Sequence, residues 1–282
     1  MSHRVALIGA GGKMGTRIAR NLGANENYSM LCCETATDAR AKLEEGGYTV
    51  VPSNEAVAEA DTTILAVPDR LIGRVSGELV PLARPGAAML LLDPAAAAAG
   101  ELLTRDDMTF VVCHPCHPPL FGDQLTAEAR QDFFGGVAAW QDIVIALVQG
   151  SEEHCTRTEE LCRVIFAPVR EAHRITVEQM AILEPAMAEV VGASAALLMR
   201  DAMEEAICRG VPRPAAESFM LGHAQVPLAI VFGVIGSPFS DAAQIAIKWG
   251  TERLLNPNWR EVFEPDQVQA VIRAMLHPEE GP

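Results

Sequence analysis

The sequence predicts an α/β fold in which a doubly wound parallel sheet is followed by an all-helical C-terminal half. Three observations carry this. Near the start a continuous apolar run, Val5-Ala6-Leu7-Ile8, passes directly into Gly9, Gly11, Gly12 and Gly15 and then into a helical segment that Gly23 stops, as a buried central strand feeding a tight turn requires. From there to residue 174, apolar runs of strand length alternate with helical segments, the pattern of parallel strands joined by crossover helices. After Thr176 the strand pattern stops and the rest reads as helix. The expected division is therefore a sheet domain over 1–175 and a helical domain over 176–282.

Each element has its own signal. Residues 30–33 are an apolar strand ending in Glu34, 38–46 a helix, 48–51 a short strand and 54–60 another helix. Residues 62–67, TTILAV, read as a buried strand stopped by Pro68-Asp69, followed by a helix over 71–83 and a strand over 87–92. Asp93-Pro94 opens a helix through the alanine run 95–99, and 108–113 is the next strand. Residues 143–148 and 169–174 extend the parallel sheet, with a helix over 152–166 between them. Thr176 and Gln179 form a capping box for a helix over 177–209 that must kink near Pro185. Helices over 214–235 and 241–255, the latter capped by Ser240, and a last one from Asp266 complete the chain. The segments MAEVVGASAALLM and VPLAIVFGVIG are apolar nearly all round. Such helices are buried, and in a half of this size a homodimer interface is the expected place.

Composition bounds the function. Hydrophobic residues make up 49% of 282 and aromatics only 5%, so the core is built of small aliphatic side chains in close-packed helices. A formal charge of −15 excludes nucleic acid and anionic membrane as partners, since either needs a basic face. Only 5–8 is strongly apolar near the start, with no basic leader and no apolar stretch of 18 residues elsewhere. With seven cysteines in no regular framework, the expected location is the cytoplasm.

The glycine turn is the first chemical signal. Bare backbone at Gly9, Gly11, Gly12 and Gly15, with Met14 at the usual third-glycine position, lets amides approach a pyrophosphate at the positive end of a helix. Lys13 and Arg17 are local donors beside it. Glu34 lies 19 residues past Gly15, where an acid meets the adenosine ribose hydroxyls of a dinucleotide. A phosphate on that ribose would sit against the carboxylate, so NAD is expected over NADP, with Arg40 as the residue able to reverse the preference. Val67, Pro68 and Asp69 fall at the carboxyl edge of the sheet, where the cofactor lies.

The densest reactive group is Cys113-His114-Pro115-Cys116-His117-Pro118-Pro119. A haem attachment needs export, a zinc knuckle needs a better second pair than Cys155 and Cys162, and a redox dithiol needs a helix start that these prolines oppose. Oxidising an alcohol requires a base for the hydroxyl proton as hydride leaves. A histidine at the end of a sheet strand suits that task, His114 first and His117 second; the alternative is a histidine that only braces a loop. Lys248 is the single lysine of the helical half, a candidate for a substrate carboxylate, for acid catalysis or for a solvated face. Glu184 and His223 interrupt apolar helices, so they pair with each other or face a cleft, and together they are a candidate divalent-metal pair.

With these residues in view, the chain resembles the 6-phosphogluconate and β-hydroxyacid dehydrogenase superfamily over nearly its full length. VALIGAGGKMG, TTILAVPD and His114-Pro115 also resemble prephenate dehydrogenases. EPAMAE, GVPRPAAESFMLGHAQ, FSDAAQIAIKWG and PNWREVF in the helical half are most similar to D-apionate oxidoisomerases. That resemblance implies a nicotinamide-binding domain, a helical dimerisation domain, and an active site between them. It also implies NAD-linked oxidation of a branched hydroxy acid coupled to migration of a carbon substituent, for which an electrophilic metal is useful. The catalytic lysine usual in β-hydroxyacid dehydrogenases is missing from the first long helix, where Glu184, Glu189 and Arg200 stand. A prephenate-type dehydrogenase, which needs an apolar ring pocket and an arginine for the carboxylates, Arg174 being one candidate, and a non-catalytic NAD(H)-sensing protein are the competing readings.

Overall fold

In a computed structural model that describes residues 2–279, the chain forms a seven-stranded sheet followed by helices. The strands are β1 (His3–Ile8), β2 (Tyr28–Cys33), β3 (Thr62–Leu65), β4 (Ala88–Leu91), β5 (Thr109–Pro115), β6 (Gln141–Gln149) and β7 (Val169–Arg174), in spatial order β2-β1-β3-β4-β5-β6-β7. The helices of this half are α1 (Lys13–Gly23), α2 (Thr37–Glu45), α3 (Ser53–Glu59), α4 (Asp69–Leu79), the single turn α5 (Ala95–Ala98), the short α6 (Ala127–Gln131) and α7 (Glu152–Ile165). Leu7, Ile64, Leu90 and Val111, on four adjacent strands, are fully buried, as expected of a parallel sheet covered on both faces.

The sheet is parallel from β2 to β5, but β6 runs antiparallel to β5, and β7 then pairs parallel to β6. This corrects the expectation that residues 143–148 extend a parallel sheet. A parallel strand needs a crossover helix to carry the chain back across the sheet. Residues 116–140 contain only the five-residue α6, so the chain turns and returns alongside β5. The expected strand over 48–51 is reduced to a single bridge between Cys32 and Val50.

Thr176 and Gln179 do form the capping box: the Thr176 amide donates to Gln179 Oε1 at 2.9 Å and the Gln179 amide donates to Thr176 Oγ1 at 3.2 Å. The helix it starts does not simply kink at Pro185. α8 (Val177–Ala181) widens into a π-helix over Ile182–Ala193 before α9 (Ser194–Cys208) resumes the normal turn. Pro185 has no amide to donate and its ring crowds the preceding turn, and a wider helix relieves both. α10 (Arg213–Val231), α11 (Asp241–Leu254), with its N-terminal Ala243 amide on Ser240 Oγ at 3.3 Å, and α12 (Pro265–Leu276) follow.

Among the described residues two compact units result, one of 2–181 with 269–279 and one of 182–268. They differ from a division at 175/176 because the end of α12 joins the sheet unit, where Gln269 Nε2 donates to Ala98 O at 3.0 Å. The helical unit has little core of its own: α9 and α11 bury no residue, and only Ala216 and Ala229 of α10 are buried. Contrary to the expectation that no segment is apolar over 18 residues, the continuous helix Val177–Cys208 is long and apolar enough to cross a membrane by length and composition.

Candidate functional site

The turn after β1 is shaped by contacts that exclude side chains. Gly9 has φ +79°, and a Cβ there would lie 2.4 Å from Ala66 O. A Cβ at Gly15 would lie 2.2 Å from Gly9 O, and one at Gly11 would lie 2.6 Å from Ala39 Cβ and 2.8 Å from Glu34 Oε2. At Gly12 the nearest atom is 3.4 Å away. The four glycines therefore have different duties: Gly9 and Gly15 close the strand–turn–helix packing, Gly11 admits Glu34, and Gly12, where a Cβ would make only ordinary van der Waals contact, lines the cavity described next. Gly12 is also the N-cap of α1, and it supplies no side-chain cap while the first turn holds no acid. The amides and positive end of α1 are left for an anion.

Beside this turn lies a cavity of about 920 Å³, lined among others by Gly9, Gly12, Glu34, Arg40, Val67 and Pro68. It sits at the carboxyl ends of β1, β2 and β3, and its size suits an elongated nucleotide. Of the sequence-predicted cofactor residues, Gly9, Gly12, Glu34, Val67 and Pro68 line it. Gly11 and Gly15 shape the turn behind it, and Asp69 opens α4. Lys13 and Met14 form the first turn of α1.

Glu34 is held by three backbone amides. Its Oε2 accepts from Gly11 N at 3.0 Å, and its Oε1 accepts from Thr35 N at 2.7 Å and Ala36 N at 2.9 Å. The carboxylate is thus fixed on the cavity wall, with acceptor capacity for hydroxyl donors. Arg40, also on the cavity, is drawn to Glu44 at 2.9 Å.

His114 stands inside β5, opposite Val144 of β6, and not beyond the strand end as its position in the sequence implied. The strand continues through Pro115 because its partner is the antiparallel β6. His114 Nδ1 is 2.8 Å from Leu92 O, just past β4. A carbonyl only accepts, so Nδ1 carries the hydrogen and Nε2 is the basic nitrogen. His117 lies past the strand, with Nδ1 3.0 Å from Phe134 O and its ring centroid 6.2 Å from that of His114. Cys113 is fully buried; that burial and its hydrogen bond to Cys162 push its thiol well up, the reverse of what a redox dithiol needs.

Sequence reasoning missed the loop that completes this corner. Asp132 Oδ2 accepts from the amides of Val137, Ala138 and Ala139 at 3.0, 2.9 and 3.2 Å, and Gly135 and Gly136 supply positive φ. The loop so folded places Phe134 between two other site residues: its ring is edge-on to His117 at 5.9 Å, and the Arg17 guanidinium stands over it at 4.9 Å. Arg17 joins this group through contacts more than 100 positions away, which local pattern does not report; the Gly135-Gly136 pair is the only signal.

The helical candidates fare differently. His223 Nδ1 donates to Phe219 O, one turn back, at 2.9 Å, and the two rings stack at 3.9 Å. Its hydrogen-bond partner is its own helix and not Glu184. Among the described residues no group of three or more His, Cys, Asp or Glu side chains is arranged to hold a metal, so the pairing of Glu184 with His223 as metal ligands gains no support from the geometry. Lys248 is exposed on α11. Arg174 is engaged by Glu159 at 2.7 Å and Glu152 at 3.4 Å, so this one candidate for a carboxylate anchor is already paired.

Comparison with known proteins gives a consistent result. Residues 122–276 match the family of phosphogluconate dehydrogenase (decarboxylating) C-terminal domains, and residues 4–97 match the family described as NADP oxidoreductase, coenzyme F420-dependent. The chain is 45% identical to D-apionate oxidoisomerase of Rhizobium rhizogenes over 270 residues, 95% of this chain and 98% of that one. It is 43% identical to the protein of the same name from Cupriavidus necator over 97% of this chain and 99% of that one. A solved structure from Cupriavidus necator, described as a semialdehyde dehydrogenase NAD-binding protein in complex with calcium and NAD, superposes with a TM-score of 0.94. It is 42% identical to this chain, over 98% of this chain and 100% of that one.

Proposed function

The chain belongs to the D-apionate oxidoisomerase family of NAD(P)-dependent oxidoreductases, and on that footing we propose that it oxidises D-apionate with NAD⁺ and moves a carbon substituent onto the oxidised carbon. The observation that carries this reading is a pairing on one sheet edge. A glycine turn whose Gly12 leaves room for a pyrophosphate stands on the same edge as an imidazole whose tautomer is set by Leu92 O. Bound NAD⁺ supplies the hydride acceptor. The α1 amides hold its diphosphate, and Glu34 takes the adenosine ribose hydroxyls, which supports NAD over NADP. His114 Nε2 accepts the proton of the hydroxyl being oxidised. Arg17, with no carboxylate of the described residues at ion-pair distance, is a donor for the substrate carboxylate on the far side of the Phe134 ring from His117. Apolar side chains left exposed on the helical unit support a homodimer formed through it.

The test is NADH absorbance with D-apionate and NAD⁺, followed by carbon NMR of the product. NADH formed together with a rearranged skeleton is the expected result. Binding of NADH with no reduction of NAD⁺ by D-apionate would instead mark a sensor.

A further inference from the structure

Oxidation of one carbon followed by a shift onto it involves two oxygens, not one. In the oxidation, the C2 hydroxyl loses its proton as hydride leaves C2, and C2 becomes a ketone. In the shift, the C3 hydroxyl loses its proton and C3 becomes the new ketone. The migrating substituent carries its bonding pair from C3 to C2, the C2=O π pair moves to oxygen, and that oxygen takes a proton back. The balance is one hydride transferred and one proton released. A single fixed imidazole has to hold hydrogen-bond reach, roughly 2.6–3.2 Å, to both oxygens in turn.

The structure offers two imidazoles. Both donate Nδ1–H to a backbone carbonyl, His114 to Leu92 O at 2.8 Å and His117 to Phe134 O at 3.0 Å, so both carry their basic nitrogen at Nε2. The rings are 6.2 Å apart at an interplanar angle of 78°, a separation that lets two neighbouring oxygens each meet one ring. Among the described residues His117 is the one non-glycine residue with positive φ, at +60°. The Phe134 carbonyl, the Phe134 ring edge and the Arg17 guanidinium beyond it hold the bend in place. Backbone held in a disfavoured region by surrounding contacts marks a side chain whose direction matters.

We propose that His117 is a second catalytic base, serving the substituent shift, while His114 serves the oxidation. His114 Nε2 takes the C2 hydroxyl proton and returns it to the same oxygen when the shift makes that oxygen an alkoxide. His117 Nε2 takes the C3 hydroxyl proton and passes it to water. This assignment rests on the reading of function given above and divides that reaction between two residues.

The experiment uses the full chain with NAD⁺ and D-apionate in a single turnover, quenched with borodeuteride. Unrearranged 2-oxo acid returns to the parent skeleton with deuterium at C2, which separates it from unreacted substrate; the rearranged ketone gives a different skeleton, and carbon NMR distinguishes them. In His117→Asn, chosen because asparagine tolerates the left-handed bend, a burst of NADH is expected with deuterated parent acid accumulating and steady turnover at least a hundredfold lower. In His114→Asn the NADH burst itself is expected to fall at least a hundredfold. If His117→Asn slows NADH formation and rearrangement by the same factor, or slows neither, His117 only braces the loop and the proposal is overturned. NADH binding by fluorescence checks that each variant is folded, and His117→Gln is the second variant. Wild-type protein that makes no NADH from D-apionate overturns the reading of function first, and this assignment with it.

Discussion

Gly15 packs so closely on Gly9 that a methyl on its Cα would lie 2.2 Å from the Gly9 carbonyl oxygen. That contact is backbone on both sides, so neither partner can rotate away, and the start of α1 is fixed against the end of β1. Gly12, three positions earlier, meets nothing closer than 3.4 Å.

The two positions therefore separate fold from cofactor. Gly15→Ala is expected to destabilise the chain by about 1–3 kcal/mol, as overpacking does, with a lower melting temperature. Gly12→Ala is expected to melt within a few degrees of wild type while NADH affinity by fluorescence drops at least tenfold, because Gly12 lines the cavity at the start of α1. Equal loss of stability in both variants would show that the turn is not divided in this way.

The proposed preference for NAD rests on Glu34. Its carboxylate, fixed by Gly11 N, Thr35 N and Ala36 N, stands where a ribose phosphate would bring like charge, a repulsion of roughly 1–4 kcal/mol depending on screening. Glu34→Ser keeps a small acceptor near the turn and removes the charge, leaving Arg40 as a cation on the same cavity. The ratio of kcat/KM with NADP⁺ to that with NAD⁺ is expected to rise at least tenfold. An unchanged ratio would falsify the role of this carboxylate.

The glycine turn and Glu34 were legible because an apolar strand, a glycine cluster and an acid at fixed spacing are local features. The direction of β6 was not, because β6 reads as the same apolar strand whichever way it runs, and only the lack of a crossover helix in 116–140 decides it. The π-helix at Ile182–Ala193 was hidden for a related reason: a segment apolar nearly all round has no stripe whose period separates a wide turn from a normal one. The Phe134 contacts with Arg17 and His117 depend on long-range packing, which no local window holds.

Stability near neutral pH carries a signature of His3. Burial first, then the Arg157 and Arg84 charges, hold its folded pKa below the ordinary 6.5; it bonds Thr62 Oγ1 at 2.9 Å and meets the Tyr28 ring edge-on. Between the folded pKa and 6.5 the unfolded chain binds more protons than the folded one, so stability rises with pH through that window. Its full value is present above about 6.5, it is lost progressively as pH falls below that, and the loss ends under the folded pKa. His3→Gln is expected to flatten the dependence of the urea midpoint on pH over about pH 5 to 7. A slope as steep as wild type would assign it to another group.

The helical unit makes the last prediction. Leu221, Phe232, Ile245 and Trp249 are each more than 60% exposed, and no residue of α9 or α11 is buried. Burying one such side chain fully is worth about 1.5–3 kcal/mol, so an 87-residue unit left in this state forgoes most of the stabilisation a domain of its size needs. On the proposed homodimer, a second copy would supply the missing partner surface with matching chemistry, because a two-fold interface sets each apolar face against its own kind. Sedimentation at micromolar concentration is expected to give twice the 30.2 kDa of one chain, and Ile245→Glu, which places a charge on that face, is expected to shift the mass toward one chain and lower the melting temperature. The length and hydropathy of Val177–Cys208 provide the opposing outcome: wild-type protein that sediments with membranes and needs detergent to leave them would place the same apolar surface against lipid instead of a second copy.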